Sequence, residues 1–162
     1  MAATTRELIL LRHAHAGPGD AGQADIDRPL SAEGLAEAEA AGRWLADNGL
    51  VPDRVLCSPA RRTRETLEAV LAVTGYVEQR LEPSIYEATP GTLFGLLQAH
   101  SDVERLLLVG HNPGLERLVA LVNSGQTGDY RGMPAGAVAV LSLPADAPIE
   151  PGLGRLTAFW WP

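Results

Sequence analysis

Three short words carry most of the reactive side chains of this chain, and they stand far apart: Arg12-His13-Ala14, Ser58-Pro59-Ala60-Arg61-Arg62 and Gly110-His111-Asn112-Pro113. Each closes an apolar run. Imidazole serves as nucleophile or proton carrier near neutral pH. The planar fork of arginine gives two parallel hydrogen bonds to a phosphoryl group. Two arginines and two histidines gathered at one place, with an acid from a loop, would make a phosphate-handling site. Other chemistries drop out on composition. All 13 cationic side chains are arginine, so no P-loop lysine, Schiff-base lysine or lysine general base is available.

The elements that must position these words follow from the apolar pattern. Glu7 to Leu11 is a continuous apolar run, as a strand covered on both faces requires. After the Gly/Pro/Asp-rich loop from Gly17 to Pro29, Ser31 with Glu33-Gly34 reads as a helix start. Leu35, Ala38, Gly42 and Leu45 then make one apolar stripe, with Glu39 and Arg43 paired on the wet face and Asn48-Gly49 as the stop. Arg54 to Cys57 is a second strand, and Pro59 is placed for the first turn of a helix that buries Leu67, Val70, Leu71 and Thr74 and ends at Gly75. Val77 to Leu81 is extended, and Pro90 to His100 is a helix with Leu93, Leu96 and Leu97 inward. Leu106 to Val109 is the most apolar strand, and Pro113 opens a helix carrying Leu115, Leu118, Val119 and Val122. Past a loop from Asn123 to Pro134, Ala135 to Leu143 and Leu156 to Trp160 read as two antiparallel strands. This alternation predicts one domain over residues 1–162, a three-layer α/β/α sandwich on a mostly parallel sheet. In such a sheet the strand carboxyl ends share one edge, where ligands bind.

The remaining composition sets boundaries. The net charge of −7 argues against non-specific nucleic-acid binding. Mean hydropathy is +0.01, and no apolar stretch approaches the length of a membrane span. A lone Cys57 cannot form an internal disulfide, which suits a reducing compartment. Strand residues follow directly on Met-Ala-Ala-Thr-Thr-Arg, so no signal peptide is expected and a cytoplasmic location is.

Together, Leu11-Arg12-His13-Ala14, Ser58-Pro59-Ala60-Arg61-Arg62-Thr63-Arg64-Glu65-Thr66 and Val109-Gly110-His111-Asn112-Pro113 resemble the motifs of the histidine phosphatase superfamily, branch 1, whose fold is phosphoglycerate-mutase-like. The short length and Arg28-Pro29-Leu30-Ser31 are similar to the small SixA-type phosphohistidine phosphatases. Ala14 stands where the superfamily usually has glycine, a departure the small members share. The resemblance implies that His13 is the nucleophile, attacking phosphorus in line to give a phosphohistidine that water cleaves. Arg12, Arg62 and His111 would bind the phosphoryl group and supply the field its equatorial oxygens need. Glu87 holds the position of the family's acid and would protonate an alkoxide leaving group. An imidazole leaving group, with an ordinary pKa of about 6.5, lessens that need. A phosphorylated substrate is implied, including a phosphohistidine-bearing signalling protein met by a monomeric enzyme, with no cofactor.

Other readings of the same residues stand beside this one. His13 and His15 are two apart and could hold a metal together, but no second ligand cluster follows, and none is expected. A cysteine phosphatase needs Cys and Arg separated by five residues; Cys57 and Arg62 are separated by four, so Cys57 reads as buried strand. Arg28 is equally a rim contact to substrate and a surface ion pair. Arg61 faces outward, His15 is loop surface, His100 ends a helix, and Trp160 and Trp161 cover sheet edge or core. A small-molecule phosphomonoesterase and a binding module without turnover remain open. A mutase is disfavoured because so short a chain has little material to exclude water.

Overall fold

The computed structural model describes residues 5–128 and 132–162. A six-stranded sheet is built from β1 (Thr5–Arg12), β2 (Arg54–Cys57), β3 (Glu78–Leu81), β4 (Arg105–Gly110), β5 (Val138–Pro144) and β6 (Arg155–Trp160). Their spatial order is β3-β2-β4-β1-β5-β6. β1, β2, β3 and β4 run parallel, β5 is antiparallel to β1, and β6 is antiparallel to β5. The helices are α1 (Ala32–Asp47), α2 (Arg61–Thr74), α3 (Pro90–Ala99) and α4 (Gly114–Ser124).

Strand alternation assigns the two faces. Ile9 and Leu11 of β1, Val55 of β2 and Leu107 of β4 pack beneath α1 and α2 with Leu45, Leu67 and Val70. Leu8, Leu10, Leu56 and Leu108 point the other way, against Leu93, Leu97, Leu115 and Leu118 of α3 and α4. The central strands therefore read as unbroken apolar runs because both sides are covered. This is the α/β/α architecture expected from the sequence. No helix among the described residues is long and apolar enough to cross a membrane.

Several local expectations shift. The buried stripe of α1 runs through Gly34, Ala38, Ala41, Gly42 and Leu45, and Leu35 lies off it, 48% exposed. Pro59 precedes α2, whose cap is Ala60, and Pro113 stands one residue outside α4. Ser31 caps α1 as expected, its Oγ accepting the Gly34 N–H at 3.0 Å. β5 starts at Val138, and the Asn123–Pro134 loop includes residues 129–131, which lie outside the described ones. Trp160 stacks on Trp44 of α1 with ring centroids 5.7 Å apart, whereas Trp161 is exposed.

Two glycines fix helix positions near the carboxyl edge of the sheet. A Cβ on Gly34 would come within 2.0 Å of the His15 carbonyl oxygen, so α1 can begin against the β1 exit only with glycine there. At Gly114 a Cβ would meet the Ala88 carbonyl at 2.7 Å, which lets the Glu87-Ala88 turn settle on the start of α4.

Candidate active site

The three words converge through the backbone. Parallel pairing of β1 with β4 sets Arg12 opposite Gly110, and pairing of β2 with β4 sets Cys57 opposite Val109. Beyond the strands, His13 N–H donates to the Gly110 carbonyl and Ser58 N–H to the Val109 carbonyl, each at 3.1 Å. His13, Ser58 and His111 are thereby held within one turn of each other, although nearly a hundred positions separate the first from the last.

The rings of His13 and His111 lie 5.3 Å apart between centroids. His13 Nδ1 is 2.7 Å from the Ala14 carbonyl oxygen. A carbonyl can only accept, so Nδ1 carries the hydrogen and Nε2 keeps its lone pair. Burial, helped by the charges of Arg62, Arg12 and Arg28, pushes the His13 pKa down to about 4. The ring is thus neutral at physiological pH. His111 is pushed down to about 3, again chiefly by burial and then by its neighbours His13 and Arg62. Its Nε2 lies 2.8 Å from Ser58 Oγ, a hydroxyl that accepts the Ala60 N–H, while Nδ1 is buried with no partner among the described residues.

The arginines complete a cationic cradle. Arg62 is buried on the first turn of α2, its side chain only 7% exposed. It donates Nη1 to the Asp25 carbonyl at 2.8 Å and Nη2 to Asp25 Oδ2 at 3.1 Å. Arg12 donates Nη1 to the Met133 carbonyl at 2.9 Å. Arg12 Nε and Arg62 Nε, like His111 Nδ1, are buried without a partner among the described residues. An unpaired buried donor costs about 1–3 kcal/mol, and a phosphoryl oxygen is an acceptor that would satisfy the Nε–H groups of Arg12 and Arg62.

Glu87 is exposed, lies in the left-handed region at φ 56°, and makes no hydrogen bond or ion pair among the described residues. It shares with Asp25, Arg62, Tyr86, His111 and Arg117 the lining of a cleft of about 370 Å³. A larger groove of about 600 Å³ lies between α1 and α2, but Leu35, Val73 and Tyr76 line it, no histidine does, and it is not where the three words meet.

The residues set aside on sequence fall as follows. Cys57 is buried and its thiol is pushed up to about 12 by that burial, which makes it inert. His15 Nδ1 bonds Ser31 Oγ at 2.7 Å on the surface. Arg61 turns outward to pair with Glu65. His100 caps α3 and meets Arg54 at the opposite end of the sheet. Of the two readings of Arg28, the ion pair is the one present: Nε bonds Asp25 Oδ1 at 2.9 Å, and Nη1 the Gly17 carbonyl at 2.6 Å.

Sequence reasoning missed Asp25 and Tyr86. Asp25 opens a single 3₁₀ turn, Asp25–Asp27, and accepts from Arg62, Arg28 and the Tyr86 hydroxyl together. The Tyr86 ring meets His111 edge-on at 5.6 Å. An acid three residues before an arginine in a Gly/Pro-rich loop is the only local signal, and it is weak.

The chain is 37% identical over 162 residues to an uncharacterised protein of Mycobacterium tuberculosis, spanning 94% of this chain and 99% of that one. It covers only 60% of an uncharacterised chloroplastic protein of Arabidopsis thaliana, at 36% identity over 74% of this chain. It is 30% identical to the phosphohistidine phosphatase SixA of Escherichia coli, over 75% of this chain and 76% of that one. The crystal structure of SixA from Agrobacterium tumefaciens superposes with a TM-score of 0.85 at 31% identity, over 97% of this chain and 98% of that one. A sequence model of the histidine phosphatase superfamily (branch 1) matches residues 8–107. With the three words meeting at the carboxyl edge of such a sheet, the chain belongs to the histidine phosphatase superfamily, branch 1.

Proposed function

We propose that this chain, as one catalytic domain over residues 1–162, is a metal-independent phosphohydrolase that turns over phosphohistidine in a protein through phosphorylated His13. The observation that carries the reading is the fixed tautomer of His13: Nδ1 is committed to the Ala14 carbonyl, and Nε2 keeps its lone pair beside Arg62 and His111. In the first step Nε2 forms a bond to phosphorus while the bond to the leaving group breaks, and its electron pair departs with that group. In the second, water displaces Nε2, releasing phosphate and the neutral imidazole. Arg12, Arg62 and His111 hold the phosphoryl oxygens throughout and stabilise the charge they gain. The similarity to the E. coli phosphohistidine phosphatase supports phosphohistidine as the substrate.

The test is phosphate release from a phosphohistidine peptide in the presence of a chelator, with capture of an acid-labile phosphoenzyme on a rapid quench. Turnover without that intermediate, or turnover lost to the chelator, would overturn the reading.

Glu87 separates ester from phosphoramidate substrates. An alkoxide leaves badly without a proton, and a positioned acid contributes about 10²–10⁴-fold. Imidazole leaves as a neutral ring. Glu87→Gln should therefore slow an alkyl phosphate by about 10²-fold and leave phosphohistidine turnover within a few-fold. Equal losses on both would deny Glu87 the acid role.

The pH profile follows from His13. Only the neutral ring attacks, and its pKa is lowered to about 4. Measured with an aryl phosphate, which survives mild acid, and corrected for the substrate's own ionisation, kcat/KM should hold until close to pH 4. An ordinary histidine would fail below about 6.5. Stability moves in the same sense: the unfolded chain takes up protons that the buried rings refuse, so the contribution present above about pH 6.5 is lost as pH falls toward 4. An acid limb between pH 6 and 7 would contradict the burial argument.

A further inference from the structure

Asp25 places a negative charge inside a site built for a negative ligand, and it faces Arg62, the most buried of the cradle's cations. The carboxylate is not a proton donor. The hydrogen bond from Tyr86, with those from Arg28 and Arg62, holds its carboxyl far below the usual carboxylate range. Asp25 is therefore a permanent anion at the mouth of the cleft, its side chain 53% exposed.

Its acceptor capacity is not exhausted. A carboxylate offers about four acceptor directions. Oδ2 takes Arg62 and Tyr86, and Oδ1 takes Arg28 alone, which leaves one direction on Oδ1. Arg28 leans back onto the Gly17 carbonyl and does not line the cleft. His13 does not line this cleft either, whereas Arg62 and His111 do. A leaving group directed into the cleft that Arg62 and His111 share would meet Asp25 and Tyr86, which line it.

The two classes of leaving group respond to a fixed anion in opposite ways. The phosphoryl group of an ester brings only negative charge toward Asp25. The ring of phosphohistidine can carry a proton on the nitrogen not bonded to phosphorus, with an ordinary pKa near 6.5 for imidazole. Protonated, it presents an N–H⁺, and the P–N bond can then break with its electron pair going to nitrogen, so that a neutral imidazole departs. No further acid is consumed. A charge-assisted hydrogen bond from that N–H⁺ to a carboxylate keeps the proton where it is needed.

We infer that Asp25 selects the substrate class, its carboxylate holding the protonated imidazole of phosphohistidine as the leaving group and so favouring phosphoramidates over phosphate esters. This rests on the phosphatase reading above and goes beyond it in naming the residue that discriminates. Tyr86 positions the carboxylate through its hydroxyl and closes the cleft beside it.

The experiment compares kcat/KM for a phosphohistidine peptide and for p-nitrophenyl phosphate in the wild type, Asp25→Asn and Asp25→Glu. Asp25→Asn keeps the shape and a hydrogen-bond acceptor but removes the charge. The ratio of phosphohistidine to aryl phosphate turnover should fall about 10–100-fold, the worth of one charge-assisted hydrogen bond, and Asp25→Glu should recover most of it. A mere loosening of Arg62 would lower both substrates together. Equal losses in Asp25→Asn, or a ratio that Asp25→Glu does not restore, would overturn the inference and leave the phosphatase reading intact. A wild-type protein inert toward both substrates would overturn both.

Discussion

Alanine at position 13 should lower kcat/KM for a phosphohistidine peptide by at least about 10⁴-fold and abolish the acid-labile phosphoenzyme. Among the groups meeting at this edge of the sheet, the arginines are permanent cations and Cys57 is buried with its thiol pushed up to about 12. His111 has its Nε2 engaged with Ser58. Of the two imidazoles, only His13 has a hydrogen bond that settles which ring nitrogen keeps its lone pair, and that nitrogen, Nε2, makes no hydrogen bond among the described residues. Removing a nucleophile while leaving the electrostatic site intact typically leaves about 10³–10⁴-fold of catalysis over water, so a small residue of activity is expected and does not contradict the assignment. The fold should survive, because the side chain's hydrogen bond is to the adjacent Ala14 carbonyl and no other element depends on it. Unfolding temperature, measured alongside, should move by a few degrees at most. Partial restoration by added imidazole, which can occupy the vacated ring position, would confirm that a nucleophile was lost and not a scaffold. Full activity in His13→Ala would end the reading.

The second large effect is expected at Arg62. Its guanidinium is buried, and its Nε is one of the donors left without a partner. Loss of one preorganised donor to a developing oxyanion costs about 10²–10³-fold, and Arg62→Ala should show that loss in kcat/KM. Inhibition by inorganic phosphate should weaken in parallel. Lysine should not rescue, since an ammonium cannot reproduce the fork that holds Asp25 on one side and a phosphoryl oxygen on the other. If Arg62→Lys matched the wild type, the cradle would be acting by charge alone and the bidentate geometry would be incidental.

The sequence announced the strands and their terminal words for a physical reason. Residues such as Leu8–Leu11 and Leu106–Val109 are covered on both faces, so their hydrophobicity is continuous and short. A polar word that breaks such a run falls at the strand end. Leu35 misled because an apolar side chain beside a helical stripe looks like part of it, although Ala41 and Gly34 take the buried places. Pro59 misled because a proline suits both the first turn of a helix and the residues leading into one. Asp25 left only the weak signal of Arg28 three residues on. Its meaning comes from partners 37 and 61 positions away, Arg62 and Tyr86. Arg12, His13 and His111 end or directly follow a strand and Arg62 lies on the first turn of α2, so their positions could be read; Asp25 belongs to the path between β1 and α1.

β1 is hydrogen-bonded along both edges, to β4 and to β5, and its core residues are sealed from solvent, so the imidazole at its end rides on the part of the chain that opens last. Asp25 sits on a single turn with no buried residue of its own, tied to α2 through the side chain of Arg62. Mild denaturant or warmth will free that turn well before the sheet yields. The protein should then pass through a state that still cleaves phosphorus bonds but has grown indiscriminate about which ones, so that fidelity is lost earlier than competence.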